Sequence, residues 1–543
     1  MESPGRYALP SSDCYPIDVA PGLSRLFLDF CAGEAGVRPF YPSVPRETGW
    51  QKRCPLPDHW SEIVAVLEGQ NPSPEAVPAL AALRAGAGTI LTGQQVGLLG
   101  GPLYTPFKAA TAIARARQAT ASRNPHVAIF WLATEDHDFA EINHVTFPSR
   151  KEPKKLVYPK APANPVPVGG VVLDETIEPL MEQTWELLGA SEAMDALVAA
   201  YKPGRTFGEA FGEFYRKAFA AQGLLVLDAA GREVHRLGAP VLQAAIERAD
   251  ELHTALLQRN KALEAAGYHA QVAVTPQSSL LFLIDERSGS RMALKRTSPS
   301  ASEPGGMWQA GREKLTTADL VGILAAEPER ISPGALLRPV FQDFLLATSL
   351  IVGGPAEIAY FAQSAVLYER ILGRTTASEA RLSATLIEPA IGDLLRKHEL
   401  GLERVFKESA DGLAQLLAAR SMPAEGKRKL SAAGTALDLE LSPLTEYMKA
   451  MDAGLGNSAD TAARKMRYQM NRLRRLAANF EMQREGSLRR HAEAIERALN
   501  PGGVLQERVH GAAYYFARYG FELAEVLTDL AADPCPGHKA IWM

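Results

Sequence analysis

The sequence predicts an α/β protein: a parallel sheet covered by helices, followed by a helical arm. The segment GTILTG is a short apolar strand that passes through a glycine-rich turn into LYTPFKAATAIARARQ, which reads as a helix. HVAIFWLA then follows as a strand with almost no polar position. Strand, helix, strand order with a near-continuous apolar strand marks a parallel sheet buried on both faces. After about Glu379 the chain becomes charged and helical, with apolar residues at three- and four-residue steps.

Size and composition bound the rest. A chain of 543 residues suggests more than one domain. Hydrophobic content of 46% and charge of 22% suit folded protein with a large core. Net charge is −4, from 58 basic and 62 acidic residues, which argues for no nucleic-acid partner. The most apolar stretch, around Phe344–Val352, is too short to span a bilayer, so no membrane role is expected. The N-terminus lacks a signal-peptide pattern, and Cys14, Cys31, Cys54 and Cys535 form no CxxC pair. The expectation is a cytoplasmic protein with reduced thiols and no zinc knuckle.

The elements follow in order. SRLFLDFCAG and WSEIVAVLEG read as short amphipathic helices between Pro-rich turns. Pro106 falls in the first turn of the helix after GTILTG, where proline is tolerated. Residues 147–170, rich in Pro and Lys, read as an excursion from the sheet, and helices run from about Glu175 to Ala221. GLLVLDAAG is a further strand and 236–267 is helical. HAQVAV and LLFLID are expected to pair antiparallel through a turn holding Gln277, Ser278 and Ser279. LKRTS, Leu294–Ser298, is a basic loop. LLRPVFQDFLLATSLIVGGPAEIAYFAQ reads as helix, strand, GGP turn, helix. In 386–500, Met466, Leu473, Leu476 and Phe480, with Leu394, Leu402, Val405, Leu413 and Leu416, suggest two long antiparallel helices broken by GNSAD near 456. The aromatic tail AAYYFARYGFELAEVL is expected to pack back on folded protein.

Three clusters carry candidate chemistry. Gly93, Gly97, Gly100 and Gly101 lie between the first strand and its helix. Glycine permits positive φ and close approach of a ligand to the backbone. With Pro102 opening the helix, the N–H groups of its first turn form an anion site. Gly97, Gly100, Gly101, Pro102 and Thr105 are therefore the phosphate-facing candidates, beside Lys108. The P-loop GK[ST] and the GxGxxG spacing are both missing, and a tight structural turn accounts for the glycines about as well. The second strand ends in ATEDHDFAEINH, which crowds Glu135, Asp136, His137, Asp138, Glu141 and His144 into one segment beside Asn143. Ligands of parallel sheets bind beyond the carboxyl ends of the strands, so this cluster and the glycine turn should face one crevice. Carboxylates there could hold an ammonium, and His137 could move a proton; a helix N-cap accounts for Asp136 or Asp138. No standard metal-ligand spacing is met, so no metal is expected. The third cluster is the turn Gly353-Gly354-Pro355, with Glu357, Tyr360 and Gln363 after it and Arg338, Gln342 and Asp343 before it. Those last three are either the wet face of an apolar helix or part of a site. Gln94, Gln95 and Tyr104 flank the first turn.

TGQQVGLLGGPLYTPFKA, FWLATEDHDFAEINHV, HAQVAVTP, LLRPVFQDFLL and IVGGPAEIAYFAQ, in that order, resemble the bacillithiol biosynthesis cysteine-adding enzyme family, BshC. FLDF near the start and the ending GHKAIWM fit as well. The resemblance implies a Rossmann-like core similar to class I aminoacyl-tRNA synthetases, with inserted connecting segments and a coiled-coil arm that mediates homodimerisation. On that basis 1–85 is an N-terminal segment packed on the core and 86–385 the Rossmann-like core, with insertions at about 147–222 and 275–335. The antiparallel arm is then 386–500, and 501–543 returns to the core. Where class I synthetases carry a histidine phosphate motif, this chain has GGPLYTPFK, and KRTS is a loose stand-in for their lysine signature.

The implied reaction adds L-cysteine to the amine of glucosaminyl malate, with ATP and Mg2+ activating the carboxylate. Its expected catalytic set is Lys108, Asp136 and His137, with His137 as proton acceptor. The expected substrate contacts are Gln94, Gln95, Tyr104, Glu135, Asp138, Asn143, Gln342, Asp343, Glu357 and Tyr360. Gly97, Gly100, Gly101, Pro102, Thr105, Gly353 and Gly354 are expected at the nucleotide. The alternative is a scaffold that binds a nucleotide or thiol metabolite and recruits a partner enzyme through its coiled coil.

Overall fold

The computed structural model describes residues 10–41, 49–149, 152–296, 307–484, 486–533 and 535–543. The chain divides into two units. The first holds Gly22–Thr385, Glu507–Lys539 and the strand Ser11–Tyr15; the second holds Leu386–Gln506 with two short flanking pieces.

The main elements of the first unit are, in chain order, β1 (Gly88–Gln94), α1 (Tyr104–Ala121), β2 (His126–Leu132), β3 (Leu225–Asp228), α2 (Arg232–Glu247) and α3 (Ala249–Ala265). Then come β4 (Ser278–Ile284), β5 (Arg291–Arg296), β6 (Trp308–Ala310), β7 (Glu313–Leu315), β8 (Ile331–Pro333), α4 (Arg338–Leu346), β9 (Thr348–Gly353), α5 (Pro355–Leu372) and β10 (Ala377–Ala380). The central sheet runs β10-β9-β1-β2-β3, and every neighbouring pair is parallel. It is Rossmann-like, with helices on its faces. All seven residues of β2 are buried, as the unbroken apolar run requires. Register aligns the strand ends: Gln94 faces Leu132, Leu132 faces Asp228, and Gly353 faces Ala380. The turns after β1, β2 and β9 therefore open on one edge. An antiparallel sheet, β7-β6-β5-β4-β8, forms the second layer. The helix Glu522–Ala532 lies on α1, where Glu525 takes both Arg117 N–H groups at 2.8 and 2.9 Å.

Two expectations for this unit are corrected. HAQVAV is not a strand, and β4 pairs with β5 instead. The side-chain amide of Gln363 accepts from Val272 N and donates to Val272 O, both at 2.9 Å. This satisfies the peptide groups a strand partner would have taken. The thiols are not all reduced: Cys14 and Cys535 form a disulfide with Cα atoms 5.9 Å apart, while Cys31 and Cys54 are free. The LKRTS loop is strand through Arg296, and its last two residues lie outside the described residues.

In the second unit, α6 (Ala410–Ser421), α7 (Ala424–Met451), α8 (Ala453–Arg484) and α9 (Ser487–Leu499) follow one another. α7 and α8 are antiparallel: Asp438 pairs with Arg467 and Lys449 with Asp460. The reversal falls at Asp452, not at GNSAD, which is helical. Gly456 is needed there because a Cβ would sit 2.9 Å from Lys449 Cα. Leu394, Leu402, Val405, Leu413 and Leu416 lie on three short helices that precede the long pair. Met466, Leu473, Leu476 and Phe480 are 49–63% exposed, so they do not form the seam between α7 and α8. Small residues do: Ala459, Ala463 and Ala478 are buried. Among the described residues no helix is long and apolar enough to cross a membrane.

Candidate active site

A cavity of about 290 Å³ opens at the carboxyl edge of the central sheet. Gly93 and Gln94 of β1 with Gln95 after it, Ala133, Asp136 and Glu141 after β2, Gly354 at the N-cap of α5 with Pro355–Glu357 and Tyr360 on it, and Gln342 of α4 all line it. So do Tyr104 and Lys108 of α1, and three arginines: Arg338, Arg381 and Arg508.

Lys108 is a strut across this space. Its Nζ donates to Gly93 O at 2.8 Å and Gln94 Oε1 at 2.9 Å, and it pairs with Glu357. An ammonium has three N–H bonds, and these partners take them all. Burial pushes the Lys108 ammonium below its ordinary range, against the pull of Glu357. Glu357 also accepts from Gly354 N at 2.7 Å, closing the first turn of α5. The expected phosphate contact from Lys108 is therefore replaced by a tie between β1 and α5. Gln94 Nε2 donates to the Tyr104 hydroxyl at 3.2 Å.

The glycine turn is spent on the protein itself. Gly100 N donates to the Tyr201 hydroxyl at 3.0 Å, and the Tyr215 hydroxyl donates to Gly100 O at 2.9 Å. The N–H groups of Gly97, Gly101, Leu103 and Thr105 are given to Gln95 O, Leu98 O, His510 O and Pro102 O. Gly97, Gly100, Gly101, Pro102 and Thr105 do not line the cavity. The glycines serve packing: a Cβ on Gly97 would lie 2.9 Å from Gly101 Cα. A phosphate cradle needs N–H groups aimed at open space, and this turn has been filled by aromatic side chains. Of the second turn, Gly354 lines the cavity and Gly353 does not; Gly353 O accepts from Arg381 N at 2.9 Å.

The acidic cluster after β2 divides. Asp136 faces the cavity and accepts from Gln95 Nε2 at 2.8 Å and from His137 N at 2.7 Å. Burial pushes its carboxyl up, but Arg338, Gln95 and the His137 amide outweigh this and hold it below the ordinary range. Glu141, at the cavity wall, moves the other way: burial raises it more than Gln95 lowers it. Glu135 turns inward, 2.8 Å from His235 Nε2, and both side chains are buried. Asp138 caps the short helix Phe139–Ile142, accepting from Glu141 N at 3.1 Å. Asn143 closes that helix, and its carbonyl takes Tyr158 N at 2.8 Å.

His137 lies outside the cavity lining, with Arg291 Nη1 3.2 Å from its Nδ1. The same Nδ1 lies 3.5 Å from Asp136 Oδ1, so it sits between a donor and an acceptor. Arg291 is buried over the Phe282 ring at 3.7 Å and lowered to about 10 by burial. Asp343 is likewise structural: its carboxylate takes Arg374 at 2.6 and 2.7 Å and Thr348 N at 2.8 Å, and it does not reach the cavity.

Sequence reasoning passed over Arg291, Arg381 and Arg508 as functional groups. Arg381 and Glu507 form a pair with both side chains almost fully buried. Only an isolated arginine in an apolar tail marks Arg508, and nothing local marks Arg381.

Comparison with known proteins fits this geometry. Residues 12–374 match the profile described as the bacillithiol biosynthesis BshC N-terminal Rossmann-like domain, and residues 384–542 match the BshC C-terminal coiled-coil domain. The chain belongs to the BshC family. A Koribacter versatilis protein is 40% identical over 538 residues, covering 97% of this chain and 99% of its own. One from Solibacter usitatus is 34% identical over 528 residues, covering 96% and 98%. One from Geobacillus thermodenitrificans is 31% identical over 469 residues and covers 84% of each chain. All three carry the name "Putative cysteine ligase BshC".

Proposed function

We propose that this BshC-family protein is a cysteine ligase that joins the carboxyl group of L-cysteine to the amine of glucosaminyl malate. The observation that carries the site assignment is the cavity wall at the carboxyl edge of the sheet, where Asp136, held by Gln95 Nε2 at 2.8 Å, and Glu141 both face the open space. Asp136 suits an ammonium, whose charge it meets without losing its own. The amine that attacks must first lose a proton, and a carboxylate raised by burial is the better acceptor. Glu141 takes that role. Gln94, Gln95, Gln342 and the Tyr104 and Tyr360 hydroxyls offer neutral hydrogen-bonding groups for a sugar.

A free carboxylate resists amines, and ATP with Mg2+ supplies the activation when bound. The glycine turn does not fit its phosphates, because the N–H groups are already donated. The groups still free to meet an anion are those on the cavity's basic wall. The cytoplasm is the compartment proposed for this reaction. A homodimer through the exposed apolar face of α8 is part of this reading, supported by Met466, Leu473, Leu476 and Phe480 lying open to solvent within the chain.

The test uses purified protein, cysteine and glucosaminyl malate, with and without ATP and Mg2+, read by mass spectrometry. Bacillithiol formed only with ATP is the expected result. AMP or ADP among the products reports the route of activation. Absence of product in every mixture would overturn the ligase assignment and favour the scaffold, whose mark would be binding without turnover.

A further inference from the structure

We propose that Arg381 and Arg508, with Tyr104 and Gly354 beside them, form an oxyanion-binding subsite in the cavity, built for a carboxylate or phosphate group of the bound substrate or nucleotide. It rests on the reading of this cavity as the reaction site.

The first observation is an unspent donor. Arg381 is 5% exposed. Its two terminal nitrogens are taken by Glu507 and the Leu382 carbonyl, the latter at 2.6 Å. Its Nε is buried and finds no acceptor among the described residues. A buried N–H without a partner is destabilising, so such a group is retained where something else supplies the acceptor. Arg381 lines the cavity, and its Nε would be 3.6 Å from a Cβ placed on Gly354.

The second observation is convergence. The guanidinium carbons of Arg381 and Arg508 lie 5.3 and 5.8 Å from the centre of the Tyr104 ring. One aromatic ring thus meets two cations from segments 127 residues apart (381 to 508). Arg508 is exposed at the cavity rim and pairs with no carboxylate among the described residues. Gly354 is the N-cap of α5, an 18-residue helix, so the positive end of its dipole points the same way. The Tyr104 hydroxyl accepts from Gln94 and keeps its own proton to donate. Lys108 and Glu357, close by, offset each other, as Arg381 and Glu507 do, so the charge left over at this wall is that of Arg508.

The full-length protein is titrated calorimetrically with L-malate and, separately, with inorganic pyrophosphate. The same titrations use Arg508→Gln, Arg381→Lys and, as a remote control on α7, Arg428→Gln. At least one anion is expected to bind the unaltered protein, and Arg508→Gln to weaken it about tenfold or more, near 1.4 kcal/mol. Arg381→Lys keeps the charge and loses the Nε–H, and should weaken binding alike; Arg428→Gln should leave it unchanged. Malate alone binding assigns the subsite to substrate carboxylates, pyrophosphate alone to a nucleotide, and mutual competition to either oxyanion. Neither anion binding, or Arg508→Gln binding as tightly as the unaltered protein, would overturn the proposal. These readouts involve no ligation, so a protein that binds the anion but forms no product would refute the ligase reading and leave the subsite standing.

Discussion

Replacing Gly100 by alanine separates two accounts of the glycine turn. Gly100 has φ of +83°, which costs an L-residue about 1–2 kcal/mol. The new Cβ would sit 2.8 Å from Phe214 Cε1. That ring has nowhere to go: it is fully buried, with Tyr215, Phe516 and Phe521 at centroid distances of 5.7, 5.9 and 6.3 Å. Overpacking of this kind costs a further 1–3 kcal/mol or so. The variant should therefore lose about 2–5 kcal/mol, and with a urea slope near 3 kcal/mol/M its midpoint should fall by about 1 M. Tryptophan fluorescence during urea titration is the assay, since Trp131 lies on β2 beside the turn. The folded fraction should still bind nucleotide as the unaltered protein does. An unchanged midpoint together with lost nucleotide binding would refute the packing account and restore the turn as a phosphate site.

Three further outcomes follow from the same geometry. Lys108→Met should destabilise by about 3–5 kcal/mol because it strands Glu357, whereas Lys108→Met with Glu357→Gln should recover most of the stability and still turn over slowly; chemical denaturation and product assays read the two effects. His538, lowered to about 4 by burial, with Glu507 opposing and Arg381 adding to the shift, is neutral in the folded state at neutral pH. Protons bind the unfolded chain first, so stability is full above the ordinary histidine value near 6.5 and is lost as pH falls toward 4. The loss is about 3 kcal/mol at 1.36 kcal/mol per pKa unit, and a pH series of melts on His538→Gln should be flatter in that window. Leu476→Asp with Phe480→Asp, both on exposed positions of α8, should leave the fold of the chain intact and shift sedimentation from dimer to monomer.

The sheet was legible because burial on both faces leaves a mark in each strand. β1, β2, β3 and β9 are apolar runs bounded by glycine or a charged cluster, too short for buried helices and closed at each end by a residue that turns the chain. HAQVAV failed because its apolar alternation was real but its partner was a side chain, Gln363, on another helix. The arm was legible in length and charge but not in seam. Apolar spacing identifies a face of a helix without saying what covers it, and here α8 buries alanines while its larger apolar residues face outward. The cysteines misled because a disulfide between residues 521 apart has no spacing to read.

The candidate site failed to be legible for a more specific reason. ATEDHDFAEINH crowds its charges into one segment, yet the fold sends Glu135 inward, Asp138 to a helix cap, and only Asp136 and Glu141 to the cavity. What decides each direction is a partner far along the chain: His235 for Glu135, Arg291 for His137, Arg338 for Asp136. The glycine turn divided against expectation in the same way, claimed by Tyr201 and Tyr215 before any ligand could reach it. Conversely, the basic wall is drawn from positions 338, 381 and 508, of which only Arg338 stood beside a recognised cluster. A motif therefore located the edge of the sheet where chemistry belongs, while the charges that face a ligand there were set by contacts between distant segments. Exchanging residues within the acidic cluster at Asp138 should accordingly disturb little beyond the short helix it caps, whereas a single change at Arg338, outside the cluster, should raise the Asp136 carboxyl and weaken its hold on an amine.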